Sequence, residues 1–376
     1  MTQTSTATLR CGVVGVGKMG NHHARLWTQV EGCDLVGVVD SSADRCQQVV
    51  EKYGGKGYSE VDALIAAGVD VVTIATPTIH HRAAAEKLLA AGVHCLIEKP
   101  LAPTPVEARA IADAAARSGA LLQVGHVVRY DPVMVAVRKL GLAPRFVEVD
   151  RVSPMTFRSV DVGVVLDMMI HDLDVLLMLF GAEPVEVRAS AVSVLGEAED
   201  VCNARLEFPR MADGYTPVAN VTASRIAMKT ERKIRIMSDD TYVSADFVDR
   251  KGTVARKGPN ANKIAEVREL LKKGADLSHL NFLDLLQVEP LDVHAGEPLR
   301  LQAEDFIDAI RAGRRPLVDA EDGFAAVRTA DRIVAAARAA GSRMAKEVAR
   351  FNGDFAQYVP APVVAAMKKK IDAGFL

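Results

Sequence analysis

Short, unbroken apolar runs punctuate the first third of the chain, at residues 11–14, 35–39, 69–75, 93–97 and 120–124. Runs of that length, without alternation, suit strands buried on both faces. Between them the apolar period lengthens to that of helices, at 43–53, 61–67, 79–91 and 106–117. These stretches stop at glycine: Gly54-Gly55, Gly68, Gly92 and Gly119. Strands alternating with such helices imply βαβ units and a doubly wound parallel sheet of the Rossmann kind, so the class is α/β. In such sheets ligands gather beyond the carboxyl ends of the strands, which places Gly15, Asp40, Thr76-Pro77, Glu98-Lys99-Pro100 and Gly125-His126 on one rim.

The pattern changes near Tyr130-Asp131-Pro132. Strands at 146–152, 185–194, 201–208, 219–224, 233–237 and 242–247 alternate apolar with polar and have few helices between them. That is the signature of a large, open, mostly antiparallel sheet in an α+β domain with one covered face. The uncovered face needs a partner, and a second subunit is the economical one, giving a homodimer or homotetramer. Residues 252–274, rich in charge, glycine and asparagine, read as an excursion carrying one helix. Helices at 302–312 and 323–340 follow, then a peripheral tail with a helix at 363–373. The expected organisation is a nucleotide-binding domain over 1–128, a substrate and assembly domain over 129–345, and the tail from 346 to 376.

The first strand runs straight into Gly15-x-Gly17-x-x-Gly20 and then a helix. Gly15 permits the tight turn, Gly17 lets backbone amides approach a pyrophosphate, and Gly20 lets helix pack on strand, with Lys18 and Met19 inside the turn. The second strand ends in Asp40, twenty positions past Gly20, where a carboxylate accepts from ribose hydroxyls. Ser41 follows it. Asp40 would repel a ribose phosphate, which favours NAD; Arg45, close in sequence, keeps NADP open.

Composition narrows the remaining choices. The chain has 376 residues, long for one core, with 46 basic against 48 acidic side chains, so no global field draws nucleic acid or an anionic membrane. Five cysteines form no CxxC pair, which argues for a reducing, cytoplasmic setting. The first eight residues are polar and read as a loose tail, not a signal peptide. The longest apolar stretch, 162–179, is interrupted by Asp167, His171, Asp172 and Asp174 and is too polar to span a bilayer.

Two places carry candidate chemistry. Lys99 follows a buried strand on the ligand rim, where it can donate a proton, polarise an oxygen or, with a lowered pKa, act as base. In a helix over 163–174, Asp167 and His171 stand one turn apart and Asp174 lies three further on, which puts carboxyl and imidazole on one face. An acid beside an imidazole orients it and stabilises its protonated form, as a general base requires. A polar helix stripe with a satisfied histidine is the plainer alternative. No further His or Cys cluster at ligand spacing supports a metal, and none is expected. Pro100 permits a cis peptide. His22 and His23 read as packing or solvent-facing. One of His80 and His81 can reach the cofactor. Arg129, Arg151 and Arg158 are candidates to hold phosphate or hydroxyls through forked hydrogen bonds.

With these residues assembled, the chain resembles the Gfo/Idh/MocA family of nicotinamide-dependent sugar oxidoreductases over roughly its first 340 residues, a span suited to two domains. The resemblance rests on the glycine turn, Ala75-Thr76-Pro77 with His81, Glu98-Lys99-Pro100, Gly125-His126-x-x-Arg129-Tyr130-Asp131-Pro132, and Asp167-x-x-x-His171 followed by Asp174. It implies that Lys99, Asp167 and His171 are catalytic and that Thr76, Pro77, His81 and Glu98 line the cofactor. His126, Arg129, Tyr130, Arg158, Asp161 and Asp174 are the expected substrate contacts. Within the family, the stretch from Arg158 through Asp161 and Gly163 to Asp172 looks most like UDP-N-acetylglucosamine 3-dehydrogenases, as does Glu297-Pro298-Leu299 with Pro316-Leu317-Val318. Two features depart: Asp131 stands where the family often has Asn, and the last thirty or so residues lack a clear counterpart. The expectation is an NAD-dependent dehydrogenase oxidising a sugar hydroxyl to a ketone. A dehydrogenase of a free sugar or inositol, an NADPH-dependent carbonyl reductase, and a non-catalytic NAD sensor stay open. Which of Lys99 and His171 acts as base stays open too.

Overall fold

A computed structural model describes residues 7–155, 162–194, 198–258, 263–274, 276 and 286–341. The expected tail, Arg158 and Asp161 lie outside them.

The first half contains strands β1 (Leu9–Val14), β2 (Cys33–Val39), β3 (Lys56–Tyr58), β4 (Val71–Ile74), β5 (His94–Ile97) and β6 (Leu122–Val124). Its helices are α1 (Lys18–Trp27), α2 (Ala43–Tyr53), α3 (Val61–Ala66), α4 (His81–Ala90) and α5 (Pro105–Ser118). The strands form one parallel sheet in the order β3-β2-β1-β4-β5-β6, the Rossmann arrangement. Local chemistry fixes the helix starts. Ser42 caps α2 by accepting from the Arg45 amide, and Thr104 caps α5 by accepting from Glu107, with Pro105 in the first turn. Gly15 adopts φ +85°, and a Cβ on Gly20 would collide with the Gly15 carbonyl, so the α1 start rests directly on the turn.

The second half contributes β7 (Phe146–Val152), β8 (Glu186–Val192), β9 (Val201–Glu207), β10 (Val218–Ser224), β11 (Glu231–Met237), β12 (Thr241–Asp246), β13 (Lys251–Lys257) and β14 (Leu286–Pro290). Its helices are α6 (Pro132–Lys139), α7 (Ile170–Phe180), α8 (Lys263–Lys272), α9 (Pro298–Ala312) and α10 (Ala320–Ala339). The sheet order is β14-β13-β12-β11-β7-β10-β9-β8, antiparallel except where β10 lies parallel to β7. Alternation decides its two faces. Val147 and Val149 of β7, Ile234 and Ile236 of β11 and Val243 of β12 point inward and are buried in one core with Val165, Met169 and Leu173. Glu148, Asp150 and Arg235 point the other way and pair loosely, Arg235 reaching the two acids at 3.6 and 3.5 Å.

Two features of this sheet differ from the sequence reading. Residues 252–274 include β13, a full strand, where an excursion with one helix was expected, and β14 was not anticipated. Lys251–Lys257 (KGTVARK) buries only Val254, so it has no apolar period of its own. Its six-residue register with β12 makes it a strand. The short edge strand β3, with two of three residues exposed, escaped notice for the same reason.

The late helices bind the two halves together. Ala303, Phe306 and Ile307 of α9 share a core with Trp27, Leu35 and Leu96, while Ala326 and Val327 of α10 join that of Ile97 and Val124. Gln123 and Gln302 clasp across this seam, the Gln123 amide donating to the Gln302 carbonyl and the Gln302 amide to the Val124 carbonyl at 2.9 and 3.1 Å. The end of β6, and the rim it carries, is thereby held by segments nearly 200 positions away in the chain.

Candidate active site

The glycine turn leaves α1 without a side-chain cap at its N-terminus, and a Cβ on Gly17 would meet nothing within 4 Å. Unpaired amides beside open space are what an anionic group needs. A cavity of about 390 Å³ opens there, lined by Val16, Gly17, Lys18, Asn21, His22 and Arg45 among others. Met19 is exposed beside it. Asp40 closes the adjoining edge. Its carboxylate accepts from the amides of Val16 and Ser42, both at 2.9 Å, and from Arg45 at 2.7 Å; Ser41 stands at 3.5 Å. Burial pushes the Asp40 pKa up, but these hydrogen bonds and the Arg45 charge outweigh it and the group is held below the usual carboxylate range. The turn, the open Gly17 face and the anchored acid fit a dinucleotide.

Lys99 lies two residues beyond β5 and precedes a cis peptide to Pro100, and its ammonium donates to the Asp167 carbonyl oxygen at 2.7 Å and to Asp167 Oδ1 at 3.2 Å. The lysine thus reaches the segment that the sequence singled out in the other half. Asp167 sits in a π-helical turn, Val165–Met169, that leads into α7; the Ile170 amide donates to the Val165 carbonyl five residues back. Such widened turns recur at functional sites. The expected Asp167–His171 pair does not form: the Asp167 carboxylate faces Lys99, and among the described residues no hydrogen bond joins it to His171. Counting i to i+4 presumes an α-helical turn, which the π turn replaces.

His171 Nδ1 is buried without a hydrogen-bond partner among the described residues, leaving Nε2 as the nitrogen open to a substrate. Its ring lies edge-on to His126, with centroids 6.4 Å apart at 88°. The His171 pKa falls well below the ordinary value, first through burial and then through the charges of Lys99 and Arg151. At neutral pH it is an uncharged imidazole. The helix start beneath it is fixed by Glu199, whose backbone carbonyl accepts from Val164 at 2.9 Å and whose carboxylate accepts from Val165 at 3.2 Å.

Buried polar groups brace the rim. His23, fully inside, bonds Glu98 at 2.8 Å and so ties α1 to the strand end that carries Lys99. His81 is also buried, its two ring nitrogens set against the carbonyls of Thr76 at 3.0 Å and Pro100 at 3.1 Å. Any effect of His81 on a cofactor therefore passes through the Thr76-Pro77 and Pro100 loops. His126 is fully enclosed.

The charged residues expected at the substrate are largely occupied with one another. Arg129 makes a two-pronged pair with Asp174 at 2.8 and 2.7 Å, adds Asp322 at 3.2 Å and donates to the Leu317 carbonyl. Asp174 is 0% exposed and Arg129 4%. Arg151 is paired in the same way with Asp172, both bonds at 2.7 Å. Tyr130 donates to Asp305 at 2.7 Å. Arg129 and Tyr130 line a separate cavity of about 900 Å³ with Arg138, Arg314 and Leu317, to which neither Lys99 nor His171 contributes. Its size does not make it the reaction site, because the groups able to move a proton converge elsewhere.

The chain matches the profile of an oxidoreductase family with an NAD-binding Rossmann fold over residues 9–126, and that of the same family's C-terminal alpha/beta domain over 133–344. The chain belongs to the Gfo/Idh/MocA oxidoreductase family. It is 36% identical to UDP-N-acetylglucosamine 3-dehydrogenase from Acidithiobacillus ferrooxidans over 317 residues, 84% of this chain and 93% of that one. It is 27% identical to inositol 2-dehydrogenase from Rhizobium meliloti strain 1021, over 87% of this chain and 96% of that one. Among solved structures, the Acidithiobacillus enzyme superposes with a TM-score of 0.77 at 34% identity, over 88% of this chain and 98% of that chain. Levoglucosan dehydrogenase in complex with NADH has a TM-score of 0.74 at 20% identity, a likeness of fold.

Arg232, which no sequence motif marks, lies close enough for its charge to act on His171. It stands directly across from Arg151 in the β11–β7 register, on the inner face of the sheet. Arg151 is neutralised by Asp172, whereas no hydrogen bond or ion pair holds the Arg232 side chain among the described residues. The Arg232 side chain is exposed, so water solvates its charge, and the Arg151 charge opposite is met by Asp172. Alternation along β11 was the only available signal, and it required knowing which face is covered. No helix among the described residues is long and apolar enough to cross a membrane.

The buried imidazoles give a stability prediction. Burial holds His81, His126 and His171 below the ordinary histidine pKa. A depressed folded pKa means that the unfolded chain binds protons first, so this stability is present above about pH 6.5 and is lost as pH falls through the folded values. Each imidazole contributes at most about 1.4 kcal/mol per pH unit. The thermal midpoint should fall steadily from pH 7 to pH 5. A flat or rising midpoint over that range would show the rings are protonated, and paired, in the fold.

Proposed function

We propose that this oxidoreductase is an NAD-dependent dehydrogenase that converts a secondary sugar hydroxyl to a ketone, at carbon 3 of UDP-N-acetylglucosamine or a related sugar nucleotide. The observation that carries this reading is the meeting of Lys99, from the nucleotide-binding half, with the Asp167–His171 segment of the other half. Asp167 aims the Lys99 ammonium, which is placed to hydrogen-bond the substrate oxygen and stabilise negative charge as it develops there. Neutral His171 takes the hydroxyl proton on Nε2, a step worth ~10²–10⁴ in rate. This assigns the base to His171 and the electrophile to Lys99. Gly15, Gly17 and Gly20 with the α1 amides would hold the pyrophosphate of NAD, and Asp40 its ribose. The chemistry NAD supplies when bound is acceptance of the hydride from the oxidised carbon.

Similarity to the Acidithiobacillus enzyme supports a sugar nucleotide. The polar open face of the eight-stranded sheet suits a second copy of the chain, in a homodimer or homotetramer. Five buried, free cysteines accord with a reducing cytoplasm.

NADH fluorescence over a panel of UDP-N-acetylglucosamine, UDP-glucose, glucose and myo-inositol, with NAD or NADP and a 2-oxo-acid to recycle tightly held NADH, tests the reading. The expected result is turnover with NAD and the acetylated sugar nucleotide, and a kcat/KM at least tenfold lower for inositol. Equal turnover of inositol would move the assignment to the free-polyol dehydrogenases. Absence of NADH with every sugar would end the dehydrogenase reading.

A further inference from the structure

Three nitrogens in the middle of the site are buried and have no hydrogen-bond partner among the described residues: both ring nitrogens of His126 and Nδ1 of His171. His126 is 0% exposed. Buried polar atoms are nearly always hydrogen-bonded, and a ring nitrogen left without a partner destabilises the fold. The two rings stand edge to face at 6.4 Å between centroids, too far for a direct bond of ordinary length through most orientations and close enough to share one small polar molecule. A water in a polar pocket with two or more partners is the usual occupant.

The chemistry of His171 gives that water a task. For Nε2 to accept a proton, the neutral ring must carry its hydrogen on Nδ1, and that hydrogen needs an acceptor. A carboxylate is the common solution, and Asp167 was the expected one, but Asp167 is turned to Lys99. Among the described residues no other group hydrogen-bonds Nδ1.

We propose that His126 holds a buried water against His171 Nδ1, and that this water accepts the Nδ1 hydrogen and so keeps Nε2 free to act as base. His126 is then a positioning residue, acting through the water and His171 and not on the substrate. This departs from the expected direct contact between His126 and sugar, which its complete burial does not favour. The groups facing the two rings agree with a neutral pair. Lys99, Arg151 and Arg232 act on His171, and Asp174, Arg129, Lys99 and Asp322 on His126. Burial holds both pKa values down, so His126 offers one donor and one acceptor to the water.

The inference rests on the reading of His171 as base, and its test separates the two. Nitrogen-15 spectra of histidine-labelled protein at pH 7, with His171→Asn used for assignment, should show His171 in the tautomer protonated at Nδ1. In His126→Phe that preference should be lost and kcat should fall about tenfold to a hundredfold, with KM for sugar and NAD within threefold. His126→Asn, which can still hold a water, should recover most of both. A wild-type spectrum with the proton on Nε2 overturns the proposal, whether or not any variant folds. So does a His126→Phe enzyme with kcat within threefold of wild type, or one in which only sugar KM moves. If His171→Ala keeps its turnover, the base assignment fails by itself, while the tautomer result still decides the role of His126.

Discussion

Replacing Lys99 with methionine should lower kcat by about 10³-fold or more while NAD affinity stays within threefold of wild type. Methionine keeps most of the length and apolar stem of lysine and removes only the ammonium. The cofactor turn, Asp40 and the His23–Glu98 brace are untouched, so binding of NAD has no reason to change. The reacting oxygen loses its one positively charged donor, and Asp167 loses the cation that faces it at 3.2 Å. Left alone, the Asp167 carboxylate adds negative charge where the reaction develops more, which makes the loss larger than that of one neutral hydrogen bond. A second consequence follows at His171, whose low pKa depends in part on the Lys99 charge. In Lys99→Met the residual activity should lose its acid limb at a higher pH than in the wild type. Steady-state NADH production and NAD titration by fluorescence separate the two quantities. A kcat within a few-fold of wild type would remove Lys99 from the reaction and leave His171 without an electrophilic partner.

The sequence conveyed what depends on short-range pattern. The glycine turn, the acid at Asp40, the αβ alternation, and the strands Phe146–Val152 and Val201–Glu207 all follow from period, glycine placement and spacing. Lys99 and the Asp167–His171 segment were legible as separate motifs, and that they approach each other follows from the family resemblance. What the sequence withheld has physical causes. Strands such as β13 bury too little to carry a period, and their identity comes from the strands on either side. The π turn breaks the helical arithmetic that paired Asp167 with His171, and its start is anchored by Glu199, over thirty positions away. The partners of Arg129, Arg151, His23 and Tyr130 lie 45, 21, 75 and 175 residues away, beyond the reach of any local rule. A charged residue in a motif announces that it matters. It does not announce whether it meets a ligand or another part of the same chain.

That last distinction can be measured at Asp174. Asp174→Ala should destabilise the fold by about 3–5 kcal/mol, because it leaves the Arg129 guanidinium buried without its main counter-charge. Asp322 at 3.2 Å and the Leu317 carbonyl at 3.0 Å soften the loss but cannot replace a two-pronged carboxylate. The paired replacement Arg129→Met with Asp174→Leu should recover most of the stability, since two apolar side chains in that space avoid both desolvation penalties. Denaturant midpoints at constant m-value, read for the two single variants and the double, isolate the coupling between them. A strut between the 127–130 turn and α7 would show strong coupling and an effect on stability before any effect on sugar KM. Were Asp174→Ala to cost less than about 1 kcal/mol and instead raise sugar KM, the pair would be opening toward substrate in solution. The forked contacts expected from the motif would then be its function, with the ion pair only its resting arrangement.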